Sequence, residues 1–425
     1  MSKIKPILVN LVLLSGLLFL AVVFVRGFDY YSVKYQQKID EVVIKGDIAA
    51  PLVAQKKDDP YHLSALLLGE MDVDSAGNTK WGDLYFLAED NQRVLLAEPK
   101  QEATPLFDPV ASRDRLFYYT LNRSEGREVM TLRSLTLASG RDEIVAAPGR
   151  DYEIRGGWLS ADGEQLIYQK VNQANGESAF WGHDLKKNLV EELMIPEAGL
   201  YPTPTQQWGA NSEQFYFTKN VGLDSYVLYE ARGSVITTAF PAFNWSQVDW
   251  RDMWQVKPLA VSPDGLSAVY LDRQLEGEQV VTTDINIIDQ SGGKTNLLTV
   301  SGNVYEIAWS PDGRRVAFNV ATHDSTGQRN KAELWVIESS GDNPAAIHQA
   351  AEVGAMLYDL HWDRRGEKIF FGERLPHFYS LIQTVDWQRE KVDVLERHLA
   401  GREGDSYLRL LQYQDMPKAL DWQEK

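Results

Sequence analysis

The amino-acid sequence predicts an all-β fold built by repetition, and three observations carry that expectation. A short hairpin recurs along most of the chain. Each copy is followed by two further strand-like runs. An orphan strand near the C-terminus matches what the first unit lacks. The clearest hairpin is Trp309-Ser310-Pro311-Asp312-Gly313-Arg314-Arg315-Val316-Ala317-Phe318. Proline presets φ at the first turn position, aspartate tolerates the second, and glycine takes the left-handed conformation that closes the hairpin. The residues beyond it alternate as a strand does.

Five more segments align on Trp309. They read FDPVASRDRLFYY from Phe107, LSADGEQLIY from Leu159, WGANSEQFYF from Trp208, VSPDGLSAVY from Val261 and WDRRGEKIFF from Trp362. Their spacing of roughly fifty residues is that of a repeat architecture. The turns vary as turns do: Asp162-Gly163 lacks proline, Asn211-Ser212 replaces Asp-Gly, and the last copy keeps only Gly366. These aspartates and glycines are therefore read as turn formers and not as ligands.

Each copy continues into a third and a fourth strand, as in AELWVIESSGDNPAAIHQ after Trp309 and DINIIDQSGGKTNLLTV after Val261. Four antiparallel strands per unit describe a propeller blade. Ahead of the first anchor, His62–Met71, Asp83–Glu89 and Gln92–Glu98 read as the second, third and fourth strands of a blade without its first. The orphan strand Ser406–Asp415 supplies it. The expected architecture is a seven-bladed β-propeller closed by its C-terminal strand, which pairs edges that would otherwise lie open. A six-bladed ring with residues 60–99 packed outside it is the alternative.

The hairpin resembles the TolB-like, WD40-like family of propeller repeats, whose hallmark is W-S-P-D-G-x-x-[IVL]-A-[FY]. Trp309–Phe318 matches every position and Val261–Tyr270 most of them, and the resemblance spans residues 60–415. It implies a propeller. It implies no single function, because that family holds partner-binding modules and enzyme accessory domains alike.

Pro6 to Val25 is a run without charge, and at the α-helical rise it spans about the thickness of a bilayer core. Val25-Arg26-Gly27-Phe28 is a poor signal-peptidase site, and the chain has no cysteine for lipidation. Lys3 and Lys5 precede the run and hold the N-terminus in the cytoplasm. The expected organisation is a cytoplasmic segment 1–5, a transmembrane signal-anchor helix 6–26, a partly helical tether 27–58 and the propeller 59–425. That makes a single-pass inner-membrane protein with its C-terminal domain in the periplasm; a cleaved signal peptide is the alternative.

Composition narrows the function. Across 425 residues the formal net charge is −17, which argues against a nucleic-acid partner, since phosphate backbones call for Lys/Arg-rich surfaces. No cysteine means no disulfide, thiolate site or cysteine nucleophile. None of the seven histidines stands in H-E-x-x-H or i, i+4 spacing, and neither G-x-S-x-G nor a phosphate-cradling loop occurs. No cofactor, metal or catalytic residue is expected. Asp72–Asp83 has some of the spacing of a calcium loop, but Ala76 holds its fifth position and Asp83 its twelfth, so it reads as a solvated hairpin loop.

One stretch reads as a binding surface. Phe240–Pro258 lies between one blade's outer strand and the next blade's inner strand, and it carries Trp245, Asp249, Trp250, Arg251 and Trp254. Tryptophan and arginine are the residues that concentrate interface energy. The expected partner is an envelope protein or peptide; the competing reading has the tryptophans capping the gap between two blades. The function expected is a protein–protein interaction platform. Its rivals are an envelope glycan hydrolase or lyase using Glu306, Asp359 or His361 in the channel, and a structural subunit of a membrane complex.

Overall fold

The computed structural model describes residues 63–73, 79–87, 93–97, 107–111, 115–124, 127–136, 141–147, 152–160, 164–172, 174–187, 189–193, 200–202, 214–222, 225–232, 235–244, 259–277, 279–324, 329–363, 365–376, 379–399 and 405–416. Every regular element among them is a strand. β1 (Leu63–Val73), β2 (Thr79–Leu87) and β3 (Arg93–Ala97) begin the first sheet. β4 (Phe107–Ala111), β5 (Arg115–Ser124), β6 (Arg127–Thr136) and β7 (Arg141–Ala146) form the second. The third holds β8 (Tyr152–Leu159), β9 (Gln165–Asn172), β10 (Ser178–Asp184) and β11 (Leu189–Glu192). The fourth holds β12 (Leu200–Pro202), β13 (Phe215–Gly222), β14 (Ser225–Arg232) and β15 (Val235–Asn244). The fifth holds β16 (Leu259–Val261), β17 (Ser267–Glu276), β18 (Gln279–Asp289) and β19 (Lys294–Ser301). The sixth holds β20 (Asn303–Trp309), β21 (Arg315–His323), β22 (Arg329–Glu338) and β23 (Ala345–Gln349). The seventh holds β24 (Met356–Trp362), β25 (Lys368–Leu375), β26 (Tyr379–Asp386) and β27 (Lys391–Leu399).

The last strand, β28 (Asp405–Met416), returns to the first sheet, whose order is β28-β1-β2-β3. It runs antiparallel to β1 from Leu63 opposite Met416 to Val73 opposite Asp405, with one bulge. Strand β28 also lies beside β4 of the second sheet and β24 of the seventh, β4 lies beside β8, and β16, β20 and β24 follow one another in the same way. In each of these pairs the inner strand of one sheet lies against the inner strand of the next.

Register identifies the repeated hairpin. The last residue of the inner strand faces a residue of the second strand at Leu159–Leu166, Val261–Ala268, Trp309–Val316 and Trp362–Ile369. In the second sheet that place belongs to Ala111, opposite Leu116, and not to Phe107, which opens β4 opposite Tyr119. The aromatic residue taken as the anchor of that copy therefore sits at the wrong end of its strand. The cause is a shorter connection between β4 and β5, without the Pro and Gly of Ser-Pro-Asp-Gly. Trp208 lies outside the described residues.

The turns are held by their own side chains. Ser310 Oγ donates to Asp312 Oδ1 at 2.6 Å and accepts from the Arg315 N–H at 2.9 Å, while the Arg314 N–H donates to Asp312 Oδ1 at 3.1 Å. Gly313 sits at φ 68°, the left-handed region that a Cβ disfavours. Ser262 and Asp264 repeat the pattern at 2.5 Å, with the Ser267 N–H donating to Ser262 Oγ at 3.0 Å. In the seventh sheet Asp363 replaces serine. Its Oδ1 accepts the N–H groups of Glu367 and Lys368 at 2.7 and 2.9 Å.

Burial raises the Asp363 carboxyl above its ordinary value, and the two N–H bonds only partly offset this. A raised folded-state pKa means that the protonated acid folds more favourably. That stability is present below the ordinary carboxylate range and is lost as pH rises through the folded value. Asp363→Asn keeps the carbonyl acceptor and cannot ionise. It is expected to be more stable than wild type at neutral pH, with the gap closing in acid. Urea midpoints measured across that range check this; a gap independent of pH counts against it.

The core is divided among the spaces between neighbouring sheets. Leu334, Leu357, Trp362, Ile369 and Phe371 fill one such layer, and Val269, Ile285, Ile307, Trp309 and Phe318 another. Hydrogen bonds cross the same gaps. Trp309 Nε1 donates to the Ala260 carbonyl at 2.9 Å and Trp362 Nε1 to the Ala308 carbonyl at 3.0 Å. The buried Asn319 side chain accepts the N–H groups of Tyr305 and Glu306 at 3.1 and 3.0 Å and donates to the Leu357 carbonyl at 2.8 Å. Gly372 is required by close approach, since a Cβ there would land on the Tyr358 ring.

Candidate functional site

Trp245, Asp249, Trp250, Arg251 and Trp254 lie outside the described residues, which stop at Asn244 and resume at Leu259. Strands β1 and β2 pair from Val73 opposite Thr79, so the segment weighed as a calcium loop does join two strands; its residues 74–78 lie outside the described ones.

Glu306 and Asp359 are buried at equivalent places on β20 and β24. Each occupies an interruption of strand register, between Val304 and Ile307 and between Tyr358 and His361. Asp359 has φ 55°, a conformation that aspartate tolerates better than most residues. The bulge at Glu306 is fixed by Asn319, which takes both consecutive N–H groups. His361 is half-buried and pairs with Phe370 in the ladder. Among the described residues no group of three or more His, Asp or Glu is placed to hold a metal ion.

A different place has the shape of a site. Between the third and fourth sheets lies a cleft of about 450 Å³, lined by strands β9, β10, β11, β13 and β14. Its apolar lining includes Ile167, Leu193, Phe215 and Ala231. Below it runs an aromatic layer in which Phe180 meets Phe215 at 5.4 Å and Phe217 at 5.1 Å between ring centroids. Gly182 leaves room for Leu193, whose Cδ2 would stand 3.1 Å from a Cβ.

The rim is charged, and its cations are matched. Lys187 pairs with Asp184 at 2.7 Å, Lys186 with Glu164 at 3.3 Å, and Arg232 with Glu230. The hydrogen bond from Lys187 is the main cause holding the Asp184 carboxyl below its usual range. Glu191 and Glu192, exposed on β11, have no cation within ion-pair distance among the described residues. The field of Glu191 reaches Lys187 and that of Glu192 reaches Lys170, whose Nζ stands 3.9 Å from the Trp181 ring centroid; burial lowers the Lys170 pKa and Glu192 pulls it back up.

Strand β11 closes the third sheet on its outer side, and no strand pairs with its far edge among the described residues. The Leu193 N–H donates to the Phe180 carbonyl at 2.8 Å, so position 193 is a hydrogen-bonded pair with β10. Antiparallel pairs alternate. Residues 191 and 189 therefore point their backbone groups inward as well, and Val190 and Glu192 point theirs outward. Side chains alternate too, which puts Leu189, Glu191 and Leu193 on the cleft side. Leu189 and Val190 are 54% and 42% exposed. Sequence reasoning did not single out this strand. The signal was present in Leu189-Val190-Glu191-Glu192, an apolar pair and two acids.

Four-stranded antiparallel sheets in sequence, inner strands against one another and apolar layers between neighbours, define a β-propeller. No protein-family model and no curated protein sequence matches the chain. Solved structures do. The β-propeller domain of the trilobed protease from Pyrococcus furiosus, described as having an open velcro topology, is 12% identical over 71% of this chain and 86% of that one, with a TM-score of 0.50. TolB from Acinetobacter baumannii is 16% identical over 68% of this chain, which spans 64% of the TolB chain, with a TM-score of 0.41. An oligogalacturonate lyase from Vibrio parahaemolyticus is 12% identical over 74% of this chain and 88% of that one, with a TM-score of 0.48. The likeness is one of fold.

Proposed function

We propose that the chain is a membrane-anchored, extracytoplasmic β-propeller that serves as a protein–protein interaction platform in the cell envelope. In this reading the seven sheets are seven blades of one ring, β28 closes it, and residues 6–26 cross the inner membrane once with the propeller in the periplasm. A propeller hosts binding and catalysis alike, so the choice rests on the site. The observation that carries it is the cleft between the third and fourth sheets. It has an apolar floor, a charged rim and an exposed strand beside it, which is the makeup of a surface for polypeptide. The carboxylates nearest to a catalytic constellation, Glu306 and Asp359, sit buried in strand bulges. The anchor raises the effective concentration of the platform for membrane-bound partners.

The tryptophan loop belongs to the same proposal as a second contact surface, with no metal, cofactor or nucleic acid required. Replacing both Trp250 and Trp254 by Ala in the full anchored chain is expected to lower the yield of crosslinked envelope partners about tenfold, as loss of central aromatic anchors does. Circular dichroism on the same samples establishes that the propeller is folded. Undiminished crosslinks from folded protein remove that loop from the interface. Absence of any crosslinked partner for the wild-type chain overturns the platform reading.

A further inference from the structure

We propose that β11 is a docking edge for an extended basic segment of a partner protein, which adds a fifth strand to the third sheet. The inference rests on the platform reading and names where and what it binds. Two other outer strands carry charged or polar residues at their edges. On β7, Arg141 pairs with Glu143 at 2.5 Å and Asp142 with Arg133 at 2.8 Å, so its exposed charges are satisfied. Strand β19 opens with exposed Lys294, Thr295 and Asn296. Charges and polar residues of this kind are how sheets blunt open edges. Ile144 on β7 and Val235 on β15 are exposed singly, whereas β11 exposes Leu189 and Val190 side by side at the edge of the cleft, with the backbone groups of Val190 and Glu192 turned outward.

Charge selects the occupant. Lys186, Lys187 and Arg232 are each matched by a carboxylate, whereas Glu191 and Glu192 make no ion pair among the described residues and feel only the longer-range fields of Lys187 and Lys170. A strand laid along β11 takes main-chain hydrogen bonds from positions 190 and 192, as peptides that extend a sheet do. Its side chains then alternate across the edge. Apolar ones on one face reach Leu189 and the cleft at Leu193 and Phe215, and lysine or arginine side chains on the other face come beside Glu192. The occupant is therefore an extended segment alternating apolar and basic residues, drawn to a chain whose net charge is −17.

The test uses the full chain in detergent micelles and a fluorescent probe, the peptide acetyl-Lys-Val-Arg-Leu-Lys-Val-Arg-Leu-amide, followed by anisotropy. Saturable one-to-one binding is expected, with amide exchange slowed at Val190 and Glu192. Glu191→Gln with Glu192→Gln is expected to weaken it about tenfold. Val190→Pro removes an outward N–H that the sheet does not use, a place where an edge tolerates proline; it is expected to abolish binding without changing the melting temperature. Equal affinity for Val190→Pro, or for the same peptide N-methylated at alternate residues, means adsorption by charge and overturns the proposal. No binding by the wild-type chain overturns it too. Should envelope crosslinks persist in that case, the platform reading stands without this edge; should they be absent as well, both fall.

Discussion

Truncation after Gly404, which removes β28, is expected to abolish cooperative unfolding of the propeller. Strand β28 pairs with β1 at eleven positions from Leu63–Met416 to Val73–Asp405. At about 1 kcal/mol net for each backbone hydrogen bond, such a ladder is worth on the order of the whole stability of an ordinary domain, about 5–15 kcal/mol. Its loss is felt on both sides. Strand β1 is left as a long open edge, and β4 and β24 lose the strand that lies beside both of them. Urea titration followed by tryptophan fluorescence checks this: the wild type should give a steep transition, and the truncated chain a shallow one or aggregation. A peptide spanning 405–425, added in trans, should restore part of the transition by re-forming the ladder. An unchanged midpoint in the truncated chain would show that the ring does not depend on that strand.

This pairing was legible in the sequence because both halves of the first sheet leave something unsatisfied when read locally. His62–Met71 lacks an inner neighbour, and Ser406–Asp415 lacks a hairpin. The repeat was legible wherever turn chemistry was strong, at Ser262–Gly265 and Ser310–Gly313, where proline, aspartate and glycine do one job each. It failed at Phe107, where the turn to β5 has neither proline nor glycine, and aromatic character pointed to the wrong end of the strand. The cleft was not legible. Ile167, Leu193, Phe215 and Ala231 come from two sheets and are spread among ordinary strand residues, and only the packing of the third sheet on the fourth brings them together. The edge is a subtler case. Leu189 to Glu192 shows its apolar and acidic residues in order, but which of them open outward depends on register with β10.

Trp309→Ala is expected to cost about 3–5 kcal/mol, the range for removing a buried aromatic side chain. The ring is 3% exposed and packs between the fifth and sixth sheets. Trp309→Phe separates the two parts of its work. It keeps most of the volume and loses the N–H that reaches the Ala260 carbonyl, so about 1 kcal/mol of the loss belongs to the hydrogen bond. The same geometry predicts coupling to the next unit. Trp362 donates to the carbonyl of Ala308, the residue joined to Trp309. A shift of β20 caused by the first substitution therefore moves the acceptor of the second. The double variant Trp309→Phe with Trp362→Phe should depart from additivity by about 0.5 kcal/mol or more, as residues sharing a backbone segment do. Trp309→Phe paired with Trp181→Phe should add, because Trp181 lies on β10 of the third sheet, against Lys170. Chemical denaturation of the three single and two double variants separates the cases. Strict additivity of Trp309 and Trp362 would mean that each indole closes its own gap alone, and that strain at one gap between sheets is not passed along β20 to the next.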